Sequence, residues 1–168
     1  MSNVGILEEV ATDAGTHESN VLFNRALELV NRNRVSAARK DLETALRICP
    51  RHPGYLSLYG LCIAIESEDY ESARTICERA IRMNPNDPLN RVNLGKVLRL
   101  NGHNAEAYNE FIAAWKLDKS HPAPAAELSR MGIRRPPVLP FLPRSHWANV
   151  RLGRLRSRLS RLGVRVGS

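Results

Sequence analysis

The chain repeats itself, and this repeat constrains the fold more than any other feature of the sequence. Two sets of alanines and one set of prolines recur at intervals of 34 or 35 residues. A period of about 20–50 residues indicates a stack of similar structural units, each of which buries its apolar face against its neighbours. The recurring residues are Ala38, Ala73 and Ala107; Ala45, Ala80 and Ala114; and Pro53, Pro88 and Pro122.

Each unit has the pattern of two antiparallel helices joined by a short turn. In the second helix of the first unit, Ala38, Leu42 and Ala45 follow the i, i+4, i+7 spacing of one helical face. The other two units repeat this face with Cys77 or Phe111 between the alanines. The pattern predicts first helices over 19–32, 53–66 and 88–101, and second helices over 35–48, 70–83 and 104–117.

These units resemble the tetratricopeptide repeat, a 34-residue helix-turn-helix with a small residue in its first helix and Ala, Phe and Ala in its second. Gly95, Ala107, Phe111 and Ala114 match that pattern, and three such units cover residues 19–122. The resemblance implies an all-α fold, a right-handed superhelical solenoid of antiparallel helix hairpins with a concave groove. It also implies an adaptor that binds a protein or peptide partner and has no catalytic residue, cofactor or small-molecule substrate.

By the same resemblance, the first helix of each unit lines the groove. The predicted surface is apolar in the middle, with amides at one end and the cations Lys96 and Arg99 at the other, which suits an apolar partner segment with an acidic end. Relatives that clamp a carboxylate use Lys, Arg and Asn, and most of the matching places here are apolar, which argues against that mode. We expect about half of the set to pack between helices instead. The predicted groove residues are Asn20, Phe23, Asn24, Leu27, Asn31, Leu58, Leu61, Ile65, Leu89, Asn93, Lys96 and Arg99.

Charge divides the chain into a near-neutral body and a basic tail. The net charge is +8, and residues 129–168 contain 10 arginines and no lysine, aspartate or glutamate. A capping helix over 122–131 is expected to cover the last apolar face of the solenoid with Ala125, Ala126, Leu128 and Met131. The predicted organisation is an N-terminal extension over 1–18, the solenoid with its capping helix over 19–131, a proline-rich linker over 132–145 and a basic amphipathic tail over 146–168.

Leucines spaced three and four apart within residues 146–162 form a narrow apolar stripe among arginines, which predicts a basic amphipathic helix. A partner protein, or the body of the chain itself, would bury the stripe. An anionic membrane would take it into its interface, and nucleic acid would bind the arginines through phosphates. We favour the protein partner because the body already has the features of an adaptor; a solubilising, partly disordered tail is the remaining alternative. The residues predicted to make this tail contact are Trp147, Arg151, Arg154, Arg156, Arg158 and Arg161.

The sequence carries no motif of a common catalytic or metal site, such as a P-loop or a G-x-S-x-G elbow. His52 and His121 precede the recurring proline and are interpreted as helix-start residues rather than metal ligands. Three cysteines without a C-x-x-C pair indicate free thiols and a cytoplasmic location. We predict a non-enzymatic adaptor; the alternatives are a peripheral tether to an anionic membrane or nucleic acid through the tail, and a small secretion chaperone of the same family.

Overall fold

The structure, a computed structural model, describes the backbone of residues 3–131 and the side chains of residues 15–131. Its regular structure over these residues is entirely helical, which confirms the predicted all-α class. The predicted linker and tail, with all six tail-contact residues, lie outside the described residues. The helices are α1 (Asn3–Asn31), α2 (Val35–Ile48), α3 (Pro53–Ser67), α4 (Tyr70–Met83), α5 (Pro88–Leu100), α6 (Asn104–Leu117) and α7 (Pro122–Arg130).

The helices form three hairpins, α1–α2, α3–α4 and α5–α6, and α7 packs against the end of the third. We call α1, α3, α5 and α7 the inner helices and α2, α4 and α6 the outer helices. Each inner helix packs against the next inner helix, whereas the backbones of the described outer helices do not touch one another. Because the inner row is close-packed and the outer row is spread, the stack curves towards the inner helices, which form its concave side.

Side-chain caps begin the inner helices α3, α5 and α7 at the places that the recurring prolines predicted. His52, Asp87 and His121 accept hydrogen bonds from backbone N–H groups two or three residues further on, at 3.4, 2.9 and 3.2 Å. Proline follows each cap at the first helical position, where the missing N–H has no cost. The prediction that the two histidines are helix-start residues is therefore confirmed.

Each hairpin is closed by a tight seam between its two helices. An added Cβ atom at Gly95 would lie 2.5 Å from Cε1 of Phe111, and one at Gly60 would lie 2.9 Å from Sγ of Cys77. The Cys77 thiol and the Phe111 ring therefore fit only because the inner helix has no side chain opposite them. The outer-helix residues buried in the three seams are Ala38, Leu42 and Ala45; Ala73, Cys77 and Ala80; and Ala107, Phe111 and Ala114.

The first inner helix starts well before the predicted residue 19. It begins at Asn3, so residues 3–18, assigned above to an extension, are helical and continuous with the first repeat. The chain offers no proline to stop a helix in this stretch. Packing also supports it, because an added Cβ at Gly15 would lie 3.3 Å from Cγ2 of Ile48 at the end of α2.

The capping helix exists, but its buried face differs from the prediction. Ala125 and Ala126 are exposed, while Pro124, Glu127 and Leu128 are buried. The expectation for the two alanines was wrong because the sequence pattern gave no sign that Glu127 lies on the buried face. Glu127 is surrounded by basic side chains, which makes its burial tolerable.

The seam predicts that one glycine-to-alanine substitution in a helix destabilises the protein. Replacing a helical glycine by alanine normally stabilises a protein. Gly95→Ala should instead lower the free energy of unfolding by about 1–3 kcal/mol, because the new methyl group overlaps the Phe111 ring. Urea unfolding followed by circular dichroism measures this, and Phe111→Leu in the same chain should recover part of the loss. A Gly95→Ala variant as stable as the parent would contradict the seam.

Candidate functional site

A cavity of about 240 Å³ opens among the inner helices. Its walls come from α1, α3 and α5, and Ala123 of α7 lies at its edge. This volume exceeds the ~150 Å³ of a cavity that holds a benzene ring. It is below the ~300–1,000 Å³ typical of small-molecule sites. The cavity therefore has room for one or two apolar side chains of a protein segment.

The structure brings together eight of the twelve predicted groove residues around this cavity. They are Phe23, Leu27, Asn31, Leu58, Leu61, Leu89, Asn93 and Lys96. The remaining four, Asn20, Asn24, Ile65 and Arg99, lie outside its lining. Ile65 and Arg99 come one turn further along their helices than the last lining residue of α3 and α5.

Burial separates the lining into a packed floor and a reachable wall. Leu58 and Leu61 are each 2% exposed, and Asn93 donates a hydrogen bond from Nδ2 to Oγ of Ser57 at 3.1 Å. These side chains hold the helices together. The half-buried apolar residues Leu27 and Leu89 form the wall that a partner can touch.

Seven lining residues were missed by the sequence analysis, and most of them occupy repeat positions that it had used elsewhere. Ser57 and Val92 stand at the position of Phe23 in the later units, and Gly54 stands at that of Asn20. Carrying every chosen position through all three units would have found these three residues. The missed residues are Val30, His52, Gly54, Ser57, Asp87, Val92 and Ala123.

An aromatic group marks the cavity end at the N-terminus of α3. The rings of His52 and Tyr55 stack with their centroids 3.7 Å apart, and Phe23 lies 5.0 Å from Tyr55. Burial lowers the pKa of His52, and the nearby Asp87 carboxylate opposes that shift only in part. The imidazole is therefore neutral at neutral pH, and this end of the cavity presents aromatic surface beside one carboxylate.

A buried ion cluster marks the other end. Glu127, whose side chain is 3% exposed, lies 3.8 Å from Nζ of Lys96, 3.8 Å from Nη2 of Arg99 and 2.6 Å from Nη1 of Arg130. Its Oε2 atom accepts no hydrogen bond from the described residues. Lys96 and Arg99, predicted to form the cationic end of the groove, thus lie beside a buried carboxylate that the sequence pattern did not indicate. Three cations around one carboxylate still leave an excess of positive charge.

Desolvation lowers the pKa of Lys96, and Glu127 opposes this shift while Arg130 and Arg99 add to it. The ammonium group is therefore poorly compensated, since its ion pair to Glu127 is long. An additional carboxylate beside it would be favourable. The cavity end near Lys96 is the place where an acidic group of a partner gains most.

The described residues contain no group of three or more His, Cys, Asp or Glu placed to hold a metal ion. Burial raises the pKa of the Cys62 and Cys77 thiols to about 12, and Cys49 is half-buried. A thiol with so high a pKa is a poor nucleophile at neutral pH. Over the same part of the chain, no helix combines the length and apolar character needed to cross a bilayer.

The ion cluster predicts how strongly the cap depends on Glu127. Glu127→Gln should lower the free energy of unfolding by about 2–3 kcal/mol, less than the ~3–5 kcal/mol of a fully buried pair, because Arg99 and Arg130 can be rehydrated. The pKa of Lys96 should fall further, since its opposing charge is removed. Urea unfolding and NMR titration of the ammonium group measure the two effects. Glu28→Gln, which breaks an exposed pair with Arg32, is the control and should change little. Equal effects of the two changes would contradict this role of Glu127.

Comparison with known proteins agrees with this architecture. Two tetratricopeptide repeat family models match the sequence, over residues 23–88 and 76–109. No curated protein sequence matches the chain. Among solved structures, a mutant O-GlcNAc transferase from Thermobaculum terrenum is similar over 70% of this chain, with 24% identity and a TM-score of 0.59. The chain spans only 22% of that protein's length.

Two smaller proteins are covered almost completely. The second tetratricopeptide domain of human RPAP3, solved with an HSP70 peptide, is similar over 71% of this chain and 97% of its own length, with 14% identity and a TM-score of 0.52. The Yersinia enterocolitica type III secretion translocator chaperone SycD is similar over 68% of this chain and 89% of its own length, with 18% identity and a TM-score of 0.54. At these identities the likeness concerns the fold. With family models matching across residues 23–109, the chain belongs to the tetratricopeptide repeat family.

Proposed function

We propose that this protein is an adaptor that binds a segment of a partner protein in the cavity between its inner helices. The observation that carries the proposal is the cavity itself, which has apolar walls, room for one or two side chains and a positively charged end. Family membership supports an interaction role, and the similar domain of human RPAP3 was solved with a peptide. Catalysis forms no part of the proposal.

The chemistry of the cavity defines the segment that fits it. One or two apolar side chains against Leu27 and Leu89 would contribute about 1.5–3 kcal/mol each on full burial. An Asp or Glu near one of these anchors would lie beside Lys96, in a partly dry site where charge pairs are stronger than in water. The proposed partner is therefore an apolar protein segment with a nearby acidic residue.

The tail remains a second proposed contact, supported by its sequence alone. Its arginines and Trp147 would touch the same partner protein outside the cavity, and binding to an anionic membrane or to nucleic acid through the tail is the alternative. The role of a small secretion chaperone is a further alternative, for which the likeness to SycD supports the fold only. A cytoplasmic location also stays a prediction.

The wall of the cavity can be tested without disturbing its floor. Leu61→Asp would place a carboxylate at a position that is 2% exposed and would unfold the solenoid, so Leu27→Gln is the better change. A peptide selected by phage display against the full chain and then labelled with fluorescein provides the probe. Leu27→Gln should weaken its binding at least tenfold in fluorescence anisotropy, because the peptide loses an apolar contact.

The matched control for this change is Val21→Gln, on the same helix. Val21 is 52% exposed and lies outside the cavity lining, so binding should change less than twofold. Circular dichroism of both variants shows whether the fold is kept. Equal binding by the parent and Leu27→Gln would overturn the proposed site.

The charged end predicts a preference for acidic peptides. Lys96→Met keeps the apolar stem and removes the charge, so an acidic peptide should lose about five- to tenfold in affinity at low salt, and less at high salt. The same peptide with its acidic residues changed to Gln should bind the parent and the variant alike. Lys40→Met, an exposed change on α2, is the control. An equal loss for the acidic and neutral peptides would show that Lys96 does not recognise charge.

A further inference from the structure

The loops that join each outer helix to the next inner helix lie together on one edge of the solenoid, because successive helices alternate in direction. Each outer helix ends there with a cation followed by an apolar residue at the same repeat position: Arg47–Ile48, Arg82–Met83 and Lys116–Leu117. We call this surface the basic edge. Its exposed cations are Arg47, Arg51, Arg79, Arg82, Lys116 and Lys119.

These cations are not neutralised by the rest of the described structure. No ion pair between described residues involves any of the six. Among the described side chains, three carboxylates lie at this edge. Glu18 on α1 is next to Ser19, whose Oγ lies 3.5 Å from Sγ of Cys49 in the first of these loops. Asp87 and Asp118 accept hydrogen bonds from the backbone N–H groups of Leu89 and Ser120, at 2.9 and 2.8 Å. Over the described side chains, the basic edge therefore has an excess of positive charge.

The opposite edge, where inner helices turn into outer helices, differs in this respect. Arg39 pairs with Glu66 at 2.8 Å, and Arg74 pairs with Glu106 at 3.3 Å. Further negative charge at the connection between α3 and α4 comes from Glu68, Asp69 and Glu71. The solenoid is thus electrically asymmetric between its two edges.

Exposed apolar side chains accompany the free cations. Met83, Trp115 and Leu117 are 39%, 37% and 42% exposed, and Nζ of Lys119 lies 5.5 Å from the centroid of the Trp115 ring. Cations beside aliphatic groups and a tryptophan are typical of surfaces that lie in a membrane interface. The phosphate backbone of a nucleic acid would engage the cations and leave most of the apolar groups in water.

We propose that the basic edge docks peripherally on an anionic bilayer, with Met83, Trp115 and Leu117 at the headgroup boundary. The lysines and arginines attract the anionic headgroups, and the apolar side chains enter the interface. The apolar contacts of this surface, Met83, Trp115 and Leu117, are not part of the cavity lining, so the proposal does not depend on what the cavity binds. The cations in the last turns of α2, α4 and α6 also stabilise those helix ends, so thermal stability is measured together with binding.

The two tryptophans of the chain allow this contact to be distinguished from one made by the tail. In the full chain with Trp147→Phe, Trp115 is the remaining tryptophan. The probe is a vesicle of phosphatidylcholine and phosphatidylserine in a seven-to-three ratio, in which the phosphatidylcholine carries bromine. We expect the emission of Trp115 to shift to the blue and to be quenched at low salt, and to recover at ~1 M salt, where screening is strong. Vesicles of phosphatidylcholine alone should leave it unchanged.

Charge variants in the same background test the role of the edge. Arg82→Gln with Lys116→Gln should weaken vesicle binding about 25-fold, because each cation contributes about fivefold. Arg82→Lys with Lys116→Arg should retain it. The matched control is Arg32→Gln with Arg34→Gln, which removes the same charge at the opposite edge, in the turn between α1 and α2, and should cost less than twofold.

Three results would overturn the proposal. The first is sedimentation with the vesicles while Trp115 emission stays constant, which would place the contact elsewhere in the chain. The second is an equal loss of binding in the two double Gln variants, which would show that only net charge matters. The third is a Trp115 response to poly-uridylate without a response to the vesicles, which would make the edge a nucleic-acid surface.

Discussion

The close approach of each inner helix to its outer partner determines the rest of the structure. Gly60 and Gly95 leave no side chain where Cys77 and Phe111 enter, so both hairpins close at short range. Alanines on either side of these residues keep the seam narrow along the whole outer helix. The buried alanine pair recurs in all three units, and the inner row packs more closely than the outer row. The concave side and its cavity follow from this difference in packing.

The charged end of the cavity depends on a second constraint, the burial of Glu127 under the capping helix. Removing a carboxylate from water is costly, and here three basic side chains from α5 and α7 offset the cost. The arrangement ties α7 to α5 and fixes Lys96 at the border of the cavity. The ion cluster around Glu127 therefore both attaches the capping helix and places positive charge at one end of the cavity. A partner with an acidic residue meets a site whose charge is already in position, which reduces the cost of ordering on binding.

The sequence was sufficient to predict the repeating parts of the fold. The spacing of Ala38, Ala73 and Ala107 placed the outer helices, and the prolines after His52, Asp87 and His121 placed the starts of later inner helices. Both signals are local, because they depend on helical periodicity and on the backbone chemistry of proline. The predicted groove residues were placed on the inner helices by the family resemblance, and eight of the twelve border the cavity.

Features that depend on contacts between distant residues could not be predicted from local sequence patterns. The buried face of α7 was assigned wrongly at Ala125 and Ala126 because the pattern gave no sign that Lys96 and Arg99 would reach Glu127. The part of α1 before residue 19 approaches α2 closely at Gly15, a contact with Ile48 that helix propensity does not encode. Small or polar cavity residues such as Gly54 and Ser57 have no hydrophobic signal of their own, and only their repeat positions identify them.

The central claim is that the inner helices, and not the outer ones, receive the partner. Backbone NMR of the isotopically labelled full chain, titrated with the selected peptide, tests it most directly. We expect the largest changes in amide chemical shift at Phe23, Leu27, Leu89 and Lys96, which border the cavity on two different helices. Changes confined to α2, α4 and α6, or to residues 146–168, would contradict it.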